Sequence, residues 1–106
     1  MERNSFIEQS SRTLDRLERG LGALEHEALD VQLSGDVLTL AFDDGSRYVI
    51  NAHSAAGQIW MAADLNAWHF DFVADRACWI AAKTSDELLS TVERLVAKKL
   101  GTAVRL

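Results

Sequence analysis

Residues 37–51 read VLTLAFDDGSRYVIN, and this stretch decides the fold. Leu38, Leu40 and Phe42 alternate with Val37, Thr39 and Ala41, giving one bulky apolar side and one smaller side. A period of two belongs to a strand, because successive side chains leave opposite faces of the pleat. Asp43-Asp44-Gly45-Ser46 then supplies the short polar residues and the glycine that a hairpin loop needs. On the return, Tyr48 and Ile50 resume the alternation with Arg47, Val49 and Asn51 opposite. The stretch predicts an antiparallel pair with one face to bury and one to leave to water.

The same period extends in both directions. Upstream, Leu29, Val31 and Leu33 alternate with Asp30 and Gln32, and Gly35-Asp36 offers a tight turn. Downstream, a loop is predicted around Ala52 to Gly57, with His53 an exposed member of it. Gln58-Ile59-Trp60-Met61-Ala62 reads as the next strand, Trp68-His69-Phe70-Asp71-Phe72 as another, and a short one surrounds Trp79. In that last strand Cys78 is expected to be a buried structural thiol.

Helical spacing takes over at both ends. Leu14, Leu17, Leu21 and Leu24 recur at intervals of three and four, which makes one stripe. Ser5 with Glu8 predicts a capping box, Asn4 competes for the cap, and Gly20 and Gly22 predict fraying. Near the other end, Thr84 with Glu87 predicts a second box ahead of the stripe Leu88, Leu89, Val92, Leu95, Val96. Lys98 and Lys99 suit the negative end of that helix, and Gly101 suits the position just past it. Two apolar helical stripes need cover, and a sheet with one apolar face supplies it. The expectation is one α+β domain over residues 1–106. It is a two-layer α/β sandwich with both terminal helices on one face of an antiparallel sheet of five to six strands.

Composition narrows the function. The 106 residues, 48% of them hydrophobic, suffice for one core. No run approaches the roughly 18 apolar residues of a membrane span. The opening Met-Glu-Arg-Asn-Ser does not read as a secretory leader, so a cytoplasmic location is expected. A single cysteine excludes an internal disulfide and a paired-cysteine zinc site. The 16 acidic residues against 11 basic ones, net −5, argue against a nucleic-acid partner, whose phosphates call for clustered Lys and Arg. No Ser–His–Asp spacing, phosphate loop or redox pair is present.

If the helices cover Leu38, Leu40, Phe42, Ile50, Ile59, Met61, Phe70 and Phe72, alternation places Thr39, Ala41, Asn51, Gln58, Trp60, His69 and Asp71 on the open face. Trp60 is the misfit there, a large aromatic with no second layer to receive it. Either it lies flat as a shield over its neighbours, or it anchors a partner, since Trp rimmed by hydrogen-bonding groups such as Asn51 and Gln58 is a hot-spot composition.

The segments VLTLAFDDGS (37–46), YVIN (48–51), QIWMA (58–62) and WHFD (68–71) together resemble the frataxin family, in particular its bacterial members. The hairpin, the Ile-Asn pair and the following Gln-x-Trp carry the resemblance, and the helix–strands–helix order matches it over nearly the whole chain. It implies an α–β sandwich that binds iron weakly and contacts the cysteine desulfurase and scaffold protein of iron–sulfur cluster assembly. Such a protein modulates that machinery in an iron-dependent way and is not itself an enzyme. The family's sheet-face contact residues fall on Asn51, Gln58 and Trp60, and His69 follows an aromatic residue as in bacterial members.

Family iron binding is attributed to an acidic ridge along the first helix and the edge of the first strand. The candidates here are Asp15, Glu18, Glu25, Glu27 and Asp30, interleaved with Arg12, Arg16 and Arg19. Glu18 and Asp30 fall on family acidic positions, whereas Leu21, Gly22, Leu24, His26 and Ala28 occupy others. Oxygen ligands suit a hard cation, but a ridge this thin implies weaker binding or fewer sites. The plainer alternative is a solvated helix face with i,i+4 pairs of the Asp15–Arg19 type. His26 adds a nitrogen near the ridge. Ferroxidase chemistry on the ridge is the competing enzyme reading, and a sheet-face protein-binding module without a metal role is another. A monomer is expected, with iron-promoted oligomers allowed by the resemblance.

Overall fold

The computed structural model describes all 106 residues, Met1–Leu106. Helix α1 spans Arg3–Gly22. Six strands follow: β1 Leu29–Ser34, β2 Val37–Phe42, β3 Arg47–His53, β4 Gln58–Ala63, β5 Asn66–Val73 and β6 Cys78–Ala81. A 3₁₀ turn, Ala74–Arg76, links β5 to β6, and helix α2 spans Leu88–Leu100. The strands form one antiparallel sheet in chain order, so every connection is a simple hairpin. No helix is long and apolar enough to cross a membrane.

Alternation sets the layers as expected. Leu38, Leu40, Phe42, Tyr48, Ile50, Ile59, Met61, Trp68, Phe70 and Trp79 are buried on one side of the sheet. Phe6, Leu14, Leu17 and Leu21 of α1 and Leu88, Val92 and Val96 of α2 close over them to make one core. Both helices therefore lie on the same face, and the other face of the sheet has no covering layer.

The helix ends differ from the sequence expectation. Helix α1 starts at Arg3, with Glu2 extended at the cap position and no side-chain cap, so Asn4 and Ser5 lie inside the helix. Packing fixes this end instead: Phe6 is buried with its ring edge-on to Trp79 at 5.9 Å. Trp79 in turn donates its Nε1–H to Thr13 Oγ1 at 2.9 Å. At the other end α1 does not fray at its glycines. A Cβ on Gly20 would lie 2.6 Å from Leu106 Cδ2, so glycine makes room for the C-terminal residue. Leu106 donates its N–H to Glu93 at 2.7 Å and accepts from Arg16 at 3.2 Å, which ties the two helices together.

The cap of α2 is Glu87, not Thr84. Its carboxylate accepts from the Leu89 and Ser90 N–H groups at 2.7 and 3.0 Å. Strand pairing explains the shift: Ala81 N–H donates to Asp86 at 2.9 Å and Glu87 bridges to Ile80. The chain thus stays extended through Glu87 and can turn helical only at Leu88. Trp68 reinforces this segment by donating to Asp86 at 2.9 Å, which lowers the Asp86 pKa, helped by Thr84. Gly101 does end the helix, in the left-handed region at φ 70°, with its N–H on Ala97.

Candidate functional site

The open face is organised by strand register. Val37, Asn51, Trp60 and His69 lie in one row across β2 to β5. Beside it, Thr39, Val49, Ala62 and Ala67 form a row of small side chains. On the other side His53 faces Gln58 across β3 and β4. All share the parity opposite to the core residues.

Trp60 stands at the centre of this face in a three-ring stack. His53 covers one face of the indole with ring centroids 3.8 Å apart and planes 16° from parallel. His69 covers the other at 4.3 Å and 15°. The indole N–H donates to Gln58 Oε1 at 2.8 Å, and the Gln58 Nε2–H donates to Asp71 Oδ1 at 3.1 Å. Ala56 N–H donates to His53 Nδ1 at 3.3 Å, so in the neutral ring Nε2 carries the proton. Trp60 thus has both faces covered and its one donor engaged. A nucleobase cannot stack on it without displacing an imidazole. The adjacent Asn51 carboxamide, half-buried, has no partner within the chain.

Two expectations on this face need correction. His53 is not an exposed loop residue: β3 runs on through Ala52 and His53. Ala52 is buried beneath the sheet and its N–H donates to Asp36 at 2.9 Å, which prolongs the strand. The signal was present in the parity of Arg47, Val49, Asn51 and His53, but the small residues Ser54-Ala55-Ala56-Gly57 that follow read as a loop and masked it. Cys78 is not buried; it is half-exposed on the outer side of β6, opposite Val73. Its neighbour Trp79 takes the inward position, and alternation sends Cys78 the other way.

The acidic candidates are spread out. Asp15 is exposed on α1 and lines a cleft of about 290 Å³ with Arg3 and Asp36. Glu18 is half-buried on the same helix, Glu25 and Glu27 are exposed in the α1–β1 connection, and Asp30 is exposed on β1 opposite Ala41. None of them forms an ion pair, so the Asp15–Arg19 pairing does not occur; the i,i+4 pair on α1 is Glu8–Arg12 at 3.1 Å. No three His, Cys, Asp or Glu side chains come close enough to hold a metal ion. His26 Nδ1 accepts from Ala28 N–H at 3.1 Å, so that nitrogen serves the turn. Dispersed single carboxylates suit weak, water-rich contacts with a hard cation.

Elsewhere, charge serves structure. Lys99 reaches from α2 to Asp44 in the β2–β3 hairpin at 2.8 Å and lies over the Phe42 ring at 5.6 Å. Lys99, and then Ser46, hold the Asp44 carboxyl far below the usual carboxylate range, and Asp44 raises Lys99 in return. Burial, with Asp64 nearby, raises the Tyr48 phenol.

A family model described as the frataxin-like domain matches residues 1–102. The chain is 35% identical over 103 residues to the iron–sulfur cluster assembly protein CyaY of Thioalkalivibrio sulfidiphilus, covering 96% of each. It superposes on a frataxin from Psychromonas ingrahamii with a TM-score of 0.89 at 24% identity, covering 98% of this chain and 96% of that one. A ferrous complex of trimeric frataxin from the yeast Saccharomyces cerevisiae gives a TM-score of 0.78 at 28% identity, covering 89% and 87%.

Proposed function

The chain belongs to the frataxin family, and from that footing we propose that it is an accessory protein of iron–sulfur cluster assembly that docks on the cysteine desulfurase–scaffold complex through its open sheet face. The observation that carries this reading is the Trp60 stack. A large aromatic, held rigid on a sheet face without a covering layer and bordered by the unengaged Asn51 amide, has the composition of an interface anchor. Its relatives' role in cluster assembly supports the choice of partner.

Iron enters as the ligand that modulates docking. The ferrous complex of a yeast relative supports iron as the metal, and Asp15, Glu18, Glu25, Glu27 and Asp30 are the oxygen donors available for weak, dispersed binding. Their separation favours a binding module over a ferroxidase, which needs convergent ligands. The docking species in this reading is a cytoplasmic monomer, with oligomers an iron-promoted side state.

Two measurements test the reading. The purified chain should bind the purified desulfurase–scaffold complex saturably, and Trp60→Ala should lose affinity. Anaerobic iron titration followed by oxygen should show binding without catalytic oxidation. Failure to bind the complex overturns the docking role, and catalytic turnover of Fe(II) would install the ferroxidase reading in its place.

A further inference from the structure

Both faces of the Trp60 indole are covered and its N–H is engaged, so the ring has little left to offer except its outer edge. An unsupported Trp on an open sheet samples several rotamers and must be ordered on docking, which weakens binding. Here that ordering is done in advance. His53, from the far end of β3, and His69, from β5, hold the ring like two jaws, with Gln58 and Asp71 fixing its rotation. His53 is itself held by the Ala56 N–H, which leaves its Nε2–H free to donate.

Resting on the docking role proposed above, we propose that His53 is a positioning residue for docking: with His69 it clamps Trp60 edge-on. The partner surface that fits is a narrow apolar slot taking the indole edge, with a hydrogen-bond acceptor at its rim for His53 Nε2–H. A partner presenting a flat aromatic or a base to stack on Trp60 does not fit, because no indole face is free.

The three indole N–H groups provide a test in the intact protein. Trp68 donates to Asp86 and Trp79 to Thr13, both away from this face, so they are internal controls. Solvent exchange of each indole N–H is followed by ¹⁵N-resolved NMR in wild type, His53→Ala and His53→Phe. Loss of one stacking partner should speed exchange at Trp60 about three- to tenfold, while Trp68 and Trp79 stay unchanged. His53→Ala should also weaken docking on the desulfurase–scaffold complex about three- to tenfold, and His53→Phe, which keeps a flat ring but has no N–H to donate, should restore slow exchange and only part of the affinity. Unchanged Trp60 exchange in His53→Ala overturns the clamp. If Trp60→Ala loses docking while His53→Ala does not, the docking role stands and the positioning role falls. If Trp60→Ala docks like wild type, the docking role itself falls, and the positioning role with it.

Discussion

Replacing Trp60 by alanine separates a shield from an anchor, and the structure sets the size of each effect. In the free protein the indole makes two ring stacks, at 3.8 and 4.3 Å, and one hydrogen bond to Gln58. Each stack contributes about 0.5–1.5 kcal/mol beyond area. The hydrogen bond adds little, because the Gln58 oxygen it frees is not sealed in the core and can turn to water. Trp60→Ala should therefore lower stability by about 1–3 kcal/mol, with no cavity in the core. A domain of about 5 kcal/mol or more would retain at least about 2, leaving no more than a few per cent unfolded. Unfolding thus cannot account for a large loss of binding. Docking on the desulfurase–scaffold complex should nevertheless weaken by about 2 kcal/mol or more, roughly thirtyfold. Urea titration gives the first number, with Trp68 and Trp79 still available as fluorophores, and biolayer interferometry with the immobilised complex gives the second. A stable variant that binds as tightly as wild type would refute the anchor. A stability loss beyond about 3 kcal/mol would instead mean that Trp60 belongs to the core.

Replacing Glu18 by Gln together with Asp30 by Asn should reduce iron binding in an anaerobic titration while the thermal melt stays unchanged; an unaltered titration would shift attention to Glu25 and Glu27. The Asp44–Lys99 pair carries a pH signature: a depressed carboxyl contributes stability above its unfolded value of about 4 and loses it as pH falls towards the folded value, while a raised lysine contributes below about 10.4 and loses it above. Asp44→Asn should therefore flatten the acid limb of the stability curve below about pH 4 and cause a loss that is constant through neutral pH, read by urea midpoints at several pH values. Glu87→Ala should destabilise by about 1 kcal/mol, whereas Thr84→Ala should be nearly neutral in the same assay, and the reverse order would return the α2 cap to Thr84.

The layers of this fold were legible in residues 29–72 because burial in a strand repeats every second residue and in a helix every three to four. Leu38, Leu40, Phe42 and Ile50 declare one face by spacing alone, and so place Asn51, Trp60 and His69 on the other. Gly101 was equally plain, since a left-handed helix end favours glycine wherever the chain goes next. What stayed hidden depends on pairings between residues distant in the chain. Glu87 becomes the cap of α2 only because Asp86 and Glu87 pair with β6. Gly20 matters because Leu106 packs against it. The carboxylates, close in sequence, point apart because helix, turn and strand send successive side chains in different directions. The Trp60 stack joins three strands: local alternation puts Trp60 outward, but the register of β3 and β5 against β4 alone brings an imidazole to each of its faces.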